Sequence, residues 1–164
     1  MFQNLKGNGR VWIHAANRAL TPSEVSTIKS KFTQFCASWD AHGNSLLAEF
    51  EIAHNQILIL AVDEDHESAS GCSIDKATEV FRAIDEKFQL DLFNRMNLTF
   101  LSNDEIRIVQ MMDINQAYHS NIIKDSTTFL DNTVSLLVDF KSRWEVPFSQ
   151  SWAFRKVKKL AQTS

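Results

Sequence analysis

Apolar and polar positions recur along this chain with two periods, and the switches between them mark out its elements. Arg10-Val11-Trp12-Ile13-His14-Ala15 sets Val11 and Ile13 on one face and Trp12 and His14 on the other, the two-residue period of a strand. Before it, residues 1 to 9 show no period and contain Gly7 and Gly9, which predicts a loose lead-in. Thr21-Pro22-Ser23-Glu24 then opens a helix: Thr21 can cap the first amides, Pro22 suits the first helical position, and Glu24 completes a capping box. Val25, Ile28, Phe32, Phe35, Cys36 and Trp39 follow at steps of three and four, one apolar stripe in which Cys36 is an inert core thiol. Asp40-Ala41-His42-Gly43-Asn44 ends that helix, with Gly43 as the left-handed residue.

Leu46 to Ala53 returns to alternation, Ala48, Phe50 and Ile52 against Glu49 and Glu51, the pattern of a strand with one wet face. His54-Asn55 makes a tight turn into Ile57 to Val62, an apolar run too short for a helix that reads as a strand buried on both faces. The run stops in acid (Asp63, Glu64, Asp65, Glu67), and Ser70-Gly71-Cys72-Ser73 leads into a second helix with Ile74, Ala77, Phe81, Ile84 and Phe88 in step. Met96 to Leu101 and Glu105 to Met111 are two more strands across the turn Ser102-Asn103-Asp104.

This order predicts an α+β fold: a ferredoxin-like βαββαβ unit over about residues 10–111, its sheet extended by a fifth strand. The expected sheet is mixed, in spatial order 5-4-1-3-2, with the helices that begin near Thr21 and Ser73 on one face. Residues of about 113–154 are predicted as a helical cover for the other face, with helices at Ile114 to Asn121 and Asn132 to Trp144. Within it Val146 to Phe154 is rich in aromatics and cannot open as a regular helix across Pro147, so it is expected to be an ordered lid, an aromatic binding platform being the alternative. A basic tail, 155–164, completes a single domain spanning residues 1–164.

Composition narrows the function classes. At 164 residues the chain can bury a core without disulfides, and its net charge of -3 gives no global attraction to nucleic acid. Charge is uneven, acidic over residues 60 to 91 and basic at Arg155-Lys156-Val157-Lys158-Lys159, and both stretches read as solvated surface. No apolar stretch approaches the roughly 20 residues of a membrane helix, so no membrane partner is expected. Two cysteines, Cys36 and Cys72, without a charged-then-apolar leader point to a reducing, cytoplasmic setting.

Along nearly its full length the chain resembles a family of small uncharacterised proteins from the Bacteroidetes. The resemblance rests on Arg10-Val11-Trp12-Ile13, Ala41-His42-Gly43, Ala61-Val62-Asp63-Glu64, Ser70-Gly71-Cys72-Ser73-Ile74-Asp75, Asp91-Leu92-Phe93-Asn94-Arg95-Met96, and Trp144-Glu145-Val146-Pro147 with Ser151-Trp152. Members are sometimes labelled "ABC transporter ATPase". A P-loop needs a glycine-rich turn closing in Gly-Lys-Ser or Gly-Lys-Thr to cradle phosphates, and this sequence has no Gly-Lys pair and no Walker A motif. The resemblance therefore implies neither an activity nor a cofactor.

In the expected topology the first and second strands begin at the sheet end where the third finishes. Arg10, the His42-Gly43 turn, the acidic cluster and Ser70 to Asp75 meet there, while His14 and His54 fall at the other end. Three chemistries could use that convergence. A thiol at Cys72 would be activated by the helix N-terminus with His42 or Arg10 beside it, against the opposing charge of Asp63, Glu64 and Asp75. The amides of Ser70, Gly71, Cys72 and Ser73 could hold an anion. A divalent metal on Asp63, Asp65, Glu67 or Asp75 is the weakest case, since the sixth-position glycine and closing glutamate of an EF-hand loop are missing. The reading favoured over all three is structural: Ser70 or Ser73 caps the helix, Gly71 makes the turn, and Asp63 and Asp75 satisfy loop amides. On that reading the protein is a non-enzymatic binding or adaptor domain, using the sheet edge or the aromatic C-terminal segment toward a protein partner not identified by the sequence. A thiol- or anion-dependent enzyme at Ser70 to Asp75 is the alternative.

Overall fold

The computed structural model describes residues 1–6, 8–65 and 67–158. Along the chain its elements are β1 (Gly9–Ala15), α1 (Pro22–Ser38), β2 (Asp40–Ala41), β3 (Asn44–Ser45), β4 (Leu47–Ala53), β5 (Ile57–Asp63) and α2 (Gly71–Phe88). There follow β6 (Asn97–Ser102), β7 (Glu105–Gln110), α3 (Ile114–His119), β8 (Thr128–Leu130), α4 (Leu137–Arg143) and β9 (Glu145–Pro147). The class is α+β, as the pattern predicts. The chain divides into two compact units, Met1–Phe93 with Asn132–Ser142, and Asn94–Asp131 with the chain from Arg143 on.

In the first unit β5 is the middle strand, antiparallel to β1 from Gly9↔Asp63 to Ala15↔Ile57 and to β4 from Leu47↔Asp63 to Ala53↔Ile57. Every side chain from Ile57 to Val62 is 0% exposed, so the doubly apolar run is a doubly buried strand. Strand alternation sends Leu58, Leu60 and Val62 to one face, where they join Ile28 and Phe32 of α1 and Ala77, Phe81 and Ile84 of α2. Ile57, Ile59 and Ala61 take the other face with Val11 and Ile13. The same unit also buries Phe2, Leu5, Val134, Leu137 and Phe140. Phe2 meets Phe140 edge-on at 5.6 Å, and the Lys141 ammonium donates to the Leu5 carbonyl at 2.9 Å. The lead-in is thus packed, not loose, because Phe2 and Leu5 give it apolar anchors that a search for periodicity overlooks.

Local signals explain the connections. Thr21 and Glu24 form the expected capping box, and Glu24 also takes a two-pronged contact from the Arg18 guanidinium at 2.8 and 2.9 Å. His54 and Asn55 both take left-handed backbone (φ 49 and 55), the requirement of a tight hairpin turn between β4 and β5. Gly43 is left-handed too (φ 82), but with His42 (φ 51) it turns the β2–β3 hairpin; α1 has already stopped at Ser38.

The expected mixed sheet in the order 5-4-1-3-2 does not form. Its 1-3-2 part is present as β1-β5-β4, whereas the strands expected fourth and fifth, β6 and β7, belong to a separate sheet ordered β7-β6-β8-β9. All the named ladders are antiparallel. The outer edge of β1 is instead met by the segment before α4: the Val11 amide donates to the Ser135 carbonyl at 2.9 Å, and Arg10 bridges Leu136. β6 finds its second neighbour in β8, only three residues long and too short to show alternation in the sequence.

The expected helical cover over 113–154 is likewise only partly helical. α4 begins at Leu137 and not Asn132, and β8 and β9 are strands. Val146 to Phe154 is ordered, as expected, but as core of the second unit: Phe148 and Ala153 are fully buried with Leu98, Phe100 and Phe129, and the Trp152 indole donates to Asp131 at 3.1 Å. Of the basic tail, Arg155 and Lys156 end a short 3-10 helix, and residues 159–164 lie outside the described residues.

Two predictions test these anchors. Phe148→Ala should destabilise the second unit by about 3 to 5 kcal/mol, read by denaturant unfolding, since it removes a ring buried among four others. Glu24 has its carboxyl held down to about 2, chiefly by Arg18 and then by the Thr21 amide. A depressed carboxylate stabilises the fold above its unfolded value, roughly 4.3, and that stabilisation is lost as pH falls toward 2. Glu24→Gln should therefore lower stability at neutral pH and flatten the stability curve between about pH 4 and 2; an unchanged acid limb would count against the clamp.

Candidate functional site

The register places Gly9, Leu47 and Asp63 in one row across β1, β4 and β5. The chain therefore enters β1 and β4 at the end where it leaves β5, which is the convergence the sequence predicts. Gly9 is needed there because a Cβ would collide with the Val62 carbonyl. His14 and His54 lie toward the other end of the ladder, and His14 is held in packing, its Nδ1 3.0 Å from the Leu92 carbonyl and its ring against Phe81 and Phe93.

The acidic cluster is mostly consumed in building the loop after β5. Asp63, buried at the strand's end, accepts from the amides of Lys6 (3.2 Å) and Asp65 (2.8 Å). Glu64 accepts from Arg10 Nε at 2.8 Å and from the Ala69 amide at 3.0 Å, and Glu67 accepts from the Asn44 side chain at 3.1 Å. Among the described residues no three His, Cys, Asp or Glu side chains are placed to hold a metal ion. Asp63, Asp65, Glu67 and Asp75, the metal candidates, thus form no ligand set among the described residues.

The start of α2 follows the structural reading. Ser70 is the N-cap, its hydroxyl accepting from the Ser73 amide at 3.2 Å while the Ser73 hydroxyl accepts from the Ser70 amide at 2.9 Å. A serine thus fills the position that glutamate usually takes in a capping box. Gly71 is the first helical residue and not a left-handed turn. The Trp39 indole donates to the Ser73 carbonyl at 2.9 Å in a buried contact, which ties this helix end to the chain entering β2.

Beside it lies an open cleft of about 490 Å³, lined by Asp40 and His42 from the β2–β3 hairpin and by Ser70, Gly71, Cys72, Ser73 and Lys76 at the start of α2. The anion candidates and two of the thiol-site candidates, Cys72 and His42, come together in it. Arg10 does not line it. Asp40 and Lys76, which the sequence did not single out, do line it, and they form an exposed pair at 3.4 Å. The signal for Lys76 was its four-residue spacing from Cys72, one face of one helix. Cys72 is exposed, while Cys36 is half-buried and its thiol is pushed up to about 11, first by burial and then by the Glu49 carboxylate.

No family model, curated protein or solved structure matches this chain.

The two thiols should separate cleanly under alkylation. At pH 8 iodoacetamide should modify the exposed Cys72 faster than the half-buried Cys36, whose thiolate fraction there is about one in a thousand. Peptide mapping by mass spectrometry reads the result, and equal labelling would contradict the burial of Cys36.

Proposed function

We propose that this chain is a non-enzymatic binding or adaptor domain that docks a protein partner on the free edge of its first sheet. The observation that carries this reading is β4, a seven-residue strand paired with β5 along one side and with no strand on the other among the described residues. Such an edge presents a row of unpaired amides and carbonyls, the template for strand addition by a partner. The other surface considered, the aromatic segment, is spent on packing, since Phe148 and Ala153 are fully buried. The reading calls for no cofactor, nucleic acid or membrane, and among the described residues no helix is long and apolar enough to cross one. We place the domain in the cytoplasm, a setting consistent with its two free thiols.

A second reading has its own support. Cys72 is exposed in a cleft with His42 and Lys76, so a thiol- or anion-dependent enzyme at Ser70 to Asp75 is the alternative. It ranks lower because Arg10 is engaged by Glu64 and Lys76 is paired with Asp40.

A photo-crosslinking residue at Leu47, 54% exposed at the start of β4, separates the two in the native host. The expected result is one dominant crosslinked protein, attached through an extended segment and unaffected by Cys72→Ser. Absence of a crosslink, or its loss in Cys72→Ser, would refute the edge reading, and loss in the variant would favour the thiol site.

A further inference from the structure

Strand alternation gives β4 two unlike sides. Ala48, Phe50 and Ile52 face α1, and Phe50 is locked there by a stack on Phe32, with centroids 3.9 Å apart and planes 4° from parallel. Glu49 and Glu51 leave the strand on the other side, opposite Ala61 and Ile59 of β5, though the Glu49 carboxylate still acts on the Cys36 thiol of α1. Both glutamates are half-buried, and among the described residues neither has an ion-pair or hydrogen-bond partner. Two carboxylates two residues apart therefore flank an unpaired row of backbone groups with no cation supplied from β5, whose neighbouring side chains are all apolar.

Such an edge discriminates among occupants. A second copy is disfavoured: two-fold pairing centred on Phe50 sets Glu49 against Glu51 of the other copy twice, and centring on Glu49 or Glu51 sets that residue against itself. Like charges directly opposite are destabilising across an antiparallel pair, whereas opposite charges contribute roughly 0.2 to 1 kcal/mol each. A strand laid beside β4 must also meet apolar side chains on the α1 side. Resting on the proposal that β4 is a docking edge, we infer that its partner is an extended basic segment of alternating pattern. Lys or Arg at positions i and i+2 would oppose Glu49 and Glu51, with β-branched or aromatic residues between them beside Ala48, Phe50 and Ile52.

The test uses the full chain and a labelled, end-blocked peptide of alternating lysine and valine, seven residues long, followed by fluorescence anisotropy at fixed salt. The lysine peptide should bind, and its glutamate counterpart should not. The same lysine peptide methylated on alternate backbone amides, in both phases, should lose binding in at least one phase, because strand addition needs those donors. Glu49→Lys with Glu51→Lys should weaken the lysine peptide about tenfold or more and transfer binding to the glutamate peptide, a gain that a merely unfolded variant would not show. Undiminished binding by both methylated peptides, or no exchange of preference in the charge-reversed variant, would overturn the inference. The two proposals fail separately. A crosslink at Leu47 that persists without competition by the lysine peptide overturns the basic partner and leaves the docking edge standing; loss of both overturns the edge itself.

Discussion

Burial of β5 on both faces is the constraint to which the rest of the first unit answers. Six consecutive side chains, Ile57 to Val62, have no exposure at all, and each of the five other than Ala61 is worth up to about 1.5 to 3 kcal/mol of transfer energy only if something covers it. One face is met by helices that follow the neighbouring strands in the chain: α1 between β1 and β4, and α2 directly after β5. The other face has no such local supply. The unit accordingly buries apolar residues from far away in sequence, the lead-in at Phe2 and Leu5 and the stretch holding Val134, Leu137 and Phe140. That recruited stretch also takes the β1 edge, while β6 and β7 pair within a separate sheet.

The same economy of contacts shapes the sheet end where the loops converge. Carboxylates are frequent there, yet Asp63, Glu64 and Glu67 all have partners: loop amides, the Arg10 guanidinium or the Asn44 amide. Hydrogen bonds to the charged form are what make an acid cluster compatible with a strand end that is itself buried. Two contacts on one turn of α2 tie it to the chain around β2 beside the cleft: the buried Trp39 indole on the Ser73 carbonyl and the looser, exposed Lys76–Asp40 pair, which contributes little.

What could be read from the sequence is what is local or doubly constrained. The capping box at Thr21 and Glu24, the turn at His54-Asn55 and the interior position of β5 all follow from residue types within a few positions of one another. The meeting of His42 with Ser70 to Ser73 was also legible, because the 1-3-2 strand order fixes which loops share an end. Three things were not. β8 has three residues, below the length at which alternation carries information. The destination of the aromatic run at Phe148 to Phe154 is not legible, because apolar content states that a segment is buried and never against what. Ser73 at the N3 position of its capping box is hidden because a hydroxyl performs there the task ordinarily assigned to glutamate or glutamine.

The two units are interleaved along the chain: the second unit runs through Asp131 just after β8, Asn132 to Ser142 belong to the first unit, and the second resumes at Arg143 before β9. The excursion is closed at its neck by the Asp131 amide donating to the Trp144 carbonyl at 2.7 Å, beside the Leu130↔Glu145 pair. Synthesis runs from the N-terminus, so this arrangement has a temporal consequence. When residue 93 leaves the ribosome, the first unit holds its sheet and both long helices but lacks Val134, Leu137 and Phe140; when those arrive, the second unit still lacks β9 and Phe148. Each unit therefore completes its core only with residues that lie beyond 131, and until these are made the nascent chain carries apolar surface that Val134, Leu137, Phe140 and Phe148 later close.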